Sequence, residues 1–157
     1  MVASYNLNLR ESPTGKSKIK VTITLNPEPL ALSINNYRIR MMSRSTSINL
    51  DRLLANLPRV LQVQVCHNEF VLELPPDATL LASSARDPHL AFACGPVAWG
   101  LQFHPEFNRD VLVSYIQECS DLLRSQGQNP EALIQSATET PYARTLLRRF
   151  GQIVEQK

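Results

Sequence analysis

The length, composition and charge of the chain are typical of a single globular domain. With 157 residues, 43% hydrophobic and 19% charged, it can bury about two-thirds of the surface of its unfolded state. No apolar run is long enough to cross a bilayer and no basic-then-apolar leader opens the sequence, so we expect a cytoplasmic protein without membrane contact. The net charge is +2, and three cysteines without paired spacing suggest neither a disulfide framework nor a metal site.

Alternating apolar and polar residues predict strands in the first two-thirds of the chain. The runs SKIKVTITL, VLQVQV, FVLEL and TLLASS have this pattern, and HLAFAC and VAWGLQF predict a hairpin across a Gly-Pro turn. LDRLLANLP predicts one short helical turn that ends near Pro58. Residues 26–50 have no clear period, and we expect them to be an irregular insertion.

That insertion is part of a basic region. Residues 1–60 hold nine Lys or Arg against three acids, whereas residues 61–157 hold seven against eleven. Arginine clusters can neutralise the phosphates of a nucleic acid, but no aromatic interleaving or RNA-binding motif accompanies this one. We therefore expect residues 36–52 to be a solvated segment and nucleic acid not to be a partner. The cluster comprises Arg38, Arg40, Arg44 and Arg52.

After residue 107 the period of the pattern becomes helical. Asn108 predicts an N-cap, and Gly127 predicts the end of the first helix. Asn129-Pro130 and Thr140-Pro141 each place a capping residue before a first-turn proline, which predicts two further helices. The apolar stripe of the first helix runs from Val111 to Leu123, and that of the last contains Tyr142, Leu146, Leu147, Phe150 and Ile153.

The run AWGLQFHPEF contains the residues with the clearest chemistry. Residues two apart at the end of a strand point to the same side, so His104 and Glu106 can project together. A carboxylate that accepts one imidazole N–H fixes the tautomer and leaves the other nitrogen free to accept a proton. Such a pair is two-thirds of a nucleophilic triad. The alternative is a histidine hydrogen-bonded within a turn beside a solvated glutamate.

The longer segment VQVCHNEFVLELPPDATLLASSARDPHLAFACGPVAWGLQFHPEF resembles class I glutamine amidotransferases, especially the glutaminase domain of GMP synthase. The helical tail resembles the same branch. The resemblance implies an α/β fold of three layers whose opening strands are missing, so that residues 1–157 form one partial, N-terminally truncated domain. Its strand-rich part covers residues 1–107 and its C-terminal helices cover residues 108–157.

The resemblance also implies roles for individual residues. His104 matches the general base and Glu106 the residue that orients it. Cys66, His67 and Asn68 match a Ser-His element whose backbone helps to hold the substrate glutamine. Cys66 replaces the serine, although a backbone contact survives that change, and His67 is equally well explained as a structural histidine. No cofactor is implied.

The nucleophile of the family, a cysteine in a Gly-x-Cys-x-Gly turn, has no counterpart in this sequence. Pro96 blocks a helix after Cys94, and Cys119 lies on an apolar helical stripe. Cys66 is the remaining candidate, but its neighbour His67 should point to the opposite side of the strand. We therefore expect no substitute nucleophile.

Three interpretations remain open. In the first, the chain is a truncated glutaminase that is inactive alone. In the second, it is one half of a split glutaminase whose partner chain supplies the nucleophile. In the third, it is a non-catalytic interaction module. The family also implies glutamine as the small-molecule substrate and a synthetase as a possible partner. Because the missing half would leave apolar faces open, among them Leu101 and Phe103, we expect self-association.

Overall fold

A computed structural model describes residues 24–25, 32–41 and 51–156. Within these residues the chain forms a strand-rich part followed by helices, as predicted. The strands are β1 (Thr24–Leu25), β2 (Ser33–Met41), β3 (Val60–His67), β4 (Val71–Glu73), β5 (Ala78–Ser83), β6 (Ala91–Cys94) and β7 (Trp99–Leu101). The helices are α1 (Arg109–Glu118), α2 (Ser120–Ser125), α3 (Pro130–Ser136) and α4 (Pro141–Glu155).

The main sheet has five antiparallel strands in the order β3-β2-β5-β6-β7, and β1 pairs with β4 separately. The runs predicted as β3, β4, β5 and the β6–β7 hairpin are all confirmed. The strand predicted over residues 17–25 lies outside the described residues except for β1. The turn predicted before Pro58 is present, because the Ala55 N–H donates to the Asp51 carbonyl at 3.0 Å.

Strand β2 corrects the expectation that residues 26–50 are irregular. It pairs with β3 along its length, from Ser33 opposite His67 to Arg40 opposite Val60. Asparagine is a poor strand former, so the SINNYRIRM run lacks a strong local signal. Tertiary contacts supply what local propensity does not, because Ile34 and Met41 are both buried. Residues 42–50, including Arg44, lie outside the described residues.

Helices pack on both faces of the sheet, with β2 and β3 between two apolar clusters. One cluster joins Val63 and Val65 of β3 to the inner face of α4. The other joins Ile34 of β2 to α1 and α2. Because strand residues alternate between the two sides, β3 contributes Val65 to the first cluster and Cys66 to the second.

The sheet curls until its two edges meet. Strand β7 lies at one edge and β3 lies at the other. Just beyond β7, the backbone N–H of His104 donates to the carbonyl of Gln64 in β3 at 2.8 Å. Gly100 permits the tight hairpin that leads there, because a Cβ on it would overlap the ring of Phe92. The curl brings the histidine of the sequence motif against the end of β3.

The predicted helix starts are confirmed, with two differences. Asn108 and Asn129 accept from the N–H groups of Val111 and Ala132 at 2.8 and 2.9 Å. Thr140 precedes α4, but its side chain makes no capping bond. The first predicted helix is interrupted at Cys119, and Gly127, with a φ of +74°, follows the second piece.

The apolar stripes are only partly buried, and this corrects the expected surface. Phe103 is 3% exposed and belongs to the core, while Leu101 is half-buried against it. Within the described residues, the helices are too short or too polar to span a membrane. Large apolar side chains exposed on the helices are Val111, Tyr115, Leu122, Tyr142, Leu147, Phe150 and Val154.

Candidate active site

His104 and Glu106 lie on the rim of an open cleft of about 610 Å³. They belong to a turn just past β7 rather than to the strand itself. The turn is closed by a backbone bond of 3.4 Å from the Phe107 N–H to the His104 carbonyl. The cleft is lined by this turn, by β7 and the end of β3, by α4 and by the helical turn before β3. The lining residues are Leu53, Cys66, His67, Trp99, Leu101, Gln102, Phe103, His104, Pro105, Glu106, Leu146, Leu147 and Phe150.

Both ring nitrogens of His104 have hydrogen-bond partners. Nδ1 lies 2.7 Å from Oε1 of Glu106, and Nε2 lies 3.3 Å from the carbonyl oxygen of Cys66. A carboxylate and a carbonyl both accept, so the imidazolium form satisfies the two contacts at once. To accept a proton from a nucleophile, Nε2 must lose its own proton and turn away from the Cys66 carbonyl. The pair has the contact that a base and its orienting carboxylate need.

Phe107 sets the plane of the His104 ring. The two rings stack with centroids 4.2 Å apart and planes inclined by 15°. Tyr115 of α1 packs against the ring of Phe107, with the centroids of these two rings 5.0 Å apart. Phe107 is buried, so it offers a fixed surface to the half-exposed imidazole. The sequence placed Phe107 within the motif but gave no sign of this contact.

The residues expected to bind substrate are only partly gathered at the cleft. Cys66 and His67 line it together with His104 and Glu106, whereas Asn68 is exposed and is not among the lining residues. Burial, followed by the proximity of Cys119, raises the pKa of the Cys66 thiol. A thiol that holds its proton is a weak nucleophile at neutral pH. Cys66 therefore contributes its carbonyl to the site more readily than its sulfur.

The environment of His67 favours its neutral form. Burial lowers the pKa of its imidazole, and the nearby Asp87 carboxylate opposes that effect. Its Nε2 atom is buried and has no hydrogen-bond partner. His67 therefore lines the cleft as a neutral residue, with one ring nitrogen unused inside the cleft wall.

A buried polar cluster beneath the cleft holds the motif in place. Gln102, two residues before the histidine, donates from Nε2 to the carboxylate of Asp87 and accepts from the Val71 N–H at 2.8 Å. Asp87 is 2% exposed, and burial raises the pKa of its carboxyl group. It also accepts from the N–H of His89 at 2.9 Å. Sequence reasoning missed this role of Asp87, although the ARDPHL run carries the signature of an aspartate turn.

The opposite wall of the cleft rests on Trp99. Its Nε1 donates to Oδ2 of Asp51 at 2.7 Å, and its ring meets Phe150 of α4 edge-on with centroids 6.4 Å apart. Asp51 also accepts from the N–H groups of Leu53 and Leu54. These contacts join the helical turn before β3 to the hairpin and to α4. Among the residues described, no three metal-ligating side chains lie close enough to hold a metal ion.

Comparison with known proteins relates this geometry to one fold. No protein-family profile matches the chain. A glutamine amidotransferase from Thermotoga maritima of known structure superposes with a TM-score of 0.59 and 24% sequence identity, covering 81% of this chain and 52% of the other. The described residues thus have the α/β fold of the C-terminal portion of a class I glutamine amidotransferase.

In sequence, the chain is similar to two proteins of Arabidopsis thaliana. It is 37% identical over 68 residues to gamma-glutamyl peptidase 5 and 40% identical over 60 residues to gamma-glutamyl peptidase 3. These matches cover 43% and 38% of this chain, but 27% and 24% of the peptidases. The chain therefore spans about a quarter of the curated relatives that it matches and about half of the solved structure.

Proposed function

We propose that this chain supplies the general base and the substrate-holding elements of an enzyme that hydrolyses γ-glutamyl amides. His104 is the base, Glu106 orients it, and the end of β3 at Cys66 and His67 contacts the substrate. The contact that carries the proposal is the 2.7 Å pair between His104 Nδ1 and Glu106 Oε1 on the rim of the cleft. The fold shared with glutamine amidotransferases supports it.

In the proposed reaction, His104 moves protons both when the thioester forms and when it is hydrolysed. Its Nε2 takes the proton of a cysteine thiol, and the thiolate attacks the γ-carbonyl carbon to form a tetrahedral oxyanion. The imidazolium, held by Glu106, then donates the proton to the leaving nitrogen as the thioester forms. Water, deprotonated by the same nitrogen, attacks the thioester; the C–S bond breaks to release glutamate, and the imidazolium returns the proton to the cysteine sulfur. In the arrangement that the structure describes, Phe107 supports one face of the ring.

The attacking cysteine is proposed to come from a segment outside this sequence, either preceding it in a longer protein or in a partner chain. The raised pKa of the Cys66 thiol supports that assignment. A synthetase is a second partner that the resemblance to amidotransferases implies for the same proposal.

Two substrates share the reactive bond. Glutamine is the substrate implied by the amidotransferase fold, and γ-glutamyl peptides are favoured by the similarity to two gamma-glutamyl peptidases. Both present a γ-glutamyl carbonyl, and they differ in the leaving amine. Release of ammonia from glutamine and of an amino acid from a γ-glutamyl dipeptide distinguishes the two.

The proposal is tested by complementation. Alone, the purified chain should release no glutamate above background, and Cys66→Ala should leave that unchanged. Once a nucleophile-bearing segment of a related enzyme is added, His104→Ala should lower turnover by about 10²–10⁴-fold because it removes the base. Glu106→Gln should lower it less, because it weakens orientation but spares the base.

The control is Glu118→Gln, an exposed carboxylate near the end of α1 that is far from the turn in sequence. Equal and small losses from the His104 and Glu106 variants would contradict the assigned roles. So would turnover by the isolated chain that disappears with Cys66→Ala, because the thiol would then be the nucleophile.

A further inference from the structure

A second cleft lies at the far end of β2, away from the candidate active site. Its volume is about 660 Å³, within the usual range of small-molecule sites. It forms where β5 leaves β2, since those strands pair only at Arg40 with Ser83 and Met41 with Ala82. The residues that line it are Arg38, Arg40, Val60, Ser83, Ser84 and Ala85.

The cleft is open on one side because the chain turns at Ser84, immediately after β5. The hydroxyl of Ser84 accepts from the N–H groups of Arg86 and Asp87 at 3.2 and 2.9 Å. The turn directs the chain away from β2, so Arg38 has no strand opposite it on that side. Asp87, the acidic residue of the turn, points its carboxylate into the buried cluster with Gln102 and is 2% exposed. Its negative charge is therefore not presented to the cleft.

Arg38 and Arg40 project from the same face of β2. They are two residues apart in a strand, which separates their Cα atoms by about 7 Å and points both side chains to one side. Both side chains are exposed, and in the part of the chain that the structure describes neither has an ion-pair partner. Arg38 and Val60 also line an adjoining cleft, and the Glu139 carboxylate in that cleft accepts from the Arg109 N–H at 3.3 Å.

We propose that this cleft binds the phosphate group of a small phosphorylated molecule. Each guanidinium presents parallel N–H donors that match two oxygens of a phosphate, and two such groups together match a dianion. A nucleic acid is a poorer fit, because the lining has no aromatic ring for base stacking and two cations neutralise few phosphates. The cleft contains none of the residues proposed for hydrolysis, so this proposal can be tested independently of that reaction.

Calorimetric titration of the purified chain with inorganic pyrophosphate at low salt is the test. We expect saturable binding that weakens as salt is added, because exposed charges are screened. Arg38→Gln and Arg40→Gln should each lower affinity by about tenfold or more, and the double variant should not bind. Arg38→Lys keeps the charge but loses the paired donors, so it should fall between Arg38→Gln and the native chain. Arg148→Gln, an exposed arginine of α4, is the matched control and should bind as the native chain does.

Circular dichroism melts of every variant show that binding is lost without loss of fold. The absence of pyrophosphate binding by the native chain would overturn the proposal. An equal loss in Arg148→Gln would also overturn it, since binding would then reflect net charge alone. If the chain binds a single-stranded oligothymidylate but not pyrophosphate, the proposal is overturned and the ligand of the cleft is a nucleic acid.

Discussion

Replacing Gln102 by leucine should destabilise the chain although the volume of the side chain hardly changes. The substitution removes the bond from the Val71 N–H, at 2.8 Å, and the bond to the Asp87 carboxylate. A neutral hydrogen bond contributes about 1 kcal/mol and one to a charged group about 1.5–3 kcal/mol, so we expect a loss of about 3 kcal/mol. For a chain of this size that lowers the melting temperature by about 10 °C.

The loss should also depend on pH. Burial raises the pKa of Asp87 above its ordinary value of 3.8, while its bond from Gln102 works in the opposite direction. The folded state therefore holds the Asp87 proton more tightly than the unfolded state. Stability from this group is present at acid pH and is lost as the pH rises through the folded pKa. Without Gln102 the folded pKa rises further, so the deficit of the variant should be larger near neutral pH than in acid.

Urea unfolding followed by circular dichroism, from about pH 7.5 down to about pH 3.5, below the ordinary pKa of Asp87, measures both effects. Gln117→Leu is the matched control, because Gln117 is exposed on α1. A Gln102→Leu deficit no larger than that of Gln117→Leu would refute the reasoning about the buried cluster. A deficit that does not change with pH would show that Asp87 is not the group left without its partner.

Two further predictions concern the cleft. Because burial lowers the pKa of His67 below 6.5, the native chain should lose stability as the pH falls below that value, and His67→Gln should remove this loss while exposed Asn68→Gln does not. The apolar side chains exposed on α4 should make the chain self-associate in sedimentation velocity, and Leu147→Glu should reduce association more than Val97→Glu in the hairpin turn. A native chain that stays monomeric as its concentration rises would contradict the second expectation.

The sequence predicted those elements whose signal is local. VLQVQV alternates in the period of a half-buried strand, and the structure has β3 there. Asn108 and Asn129 cap helices because a side-chain oxygen three residues before a free N–H needs no tertiary partner. Strand β2 was missed because its stability comes from pairing with β3. The interruption at Cys119 was missed because no proline or glycine marks it.

In the candidate site, too, the contacts between residues close in sequence could be predicted and the others could not. His104 and Glu106 are two residues apart, so their contact could be expected from the sequence once the run was read as the end of a strand. The carbonyl of Cys66 and the carboxylate of Asp87 reach the site from other strands and turns. The spacing of residues along the sequence does not predict contacts between residues on different strands and turns. Thr140 shows the opposite failure, since a good capping residue lies in place without making the bond.

The hydrogen bond between the His104 N–H and the Gln64 carbonyl has a consequence for folding. It joins residues far apart in the sequence, with strands β4 to β7 between them. Closing so long a loop costs entropy before the contact forms, so it should form after the helices and the local hairpins. A partly folded chain can contain the helices and the hairpin and still keep the histidine away from β3. Protection of the His104 amide from hydrogen exchange should therefore develop only as the whole sheet closes.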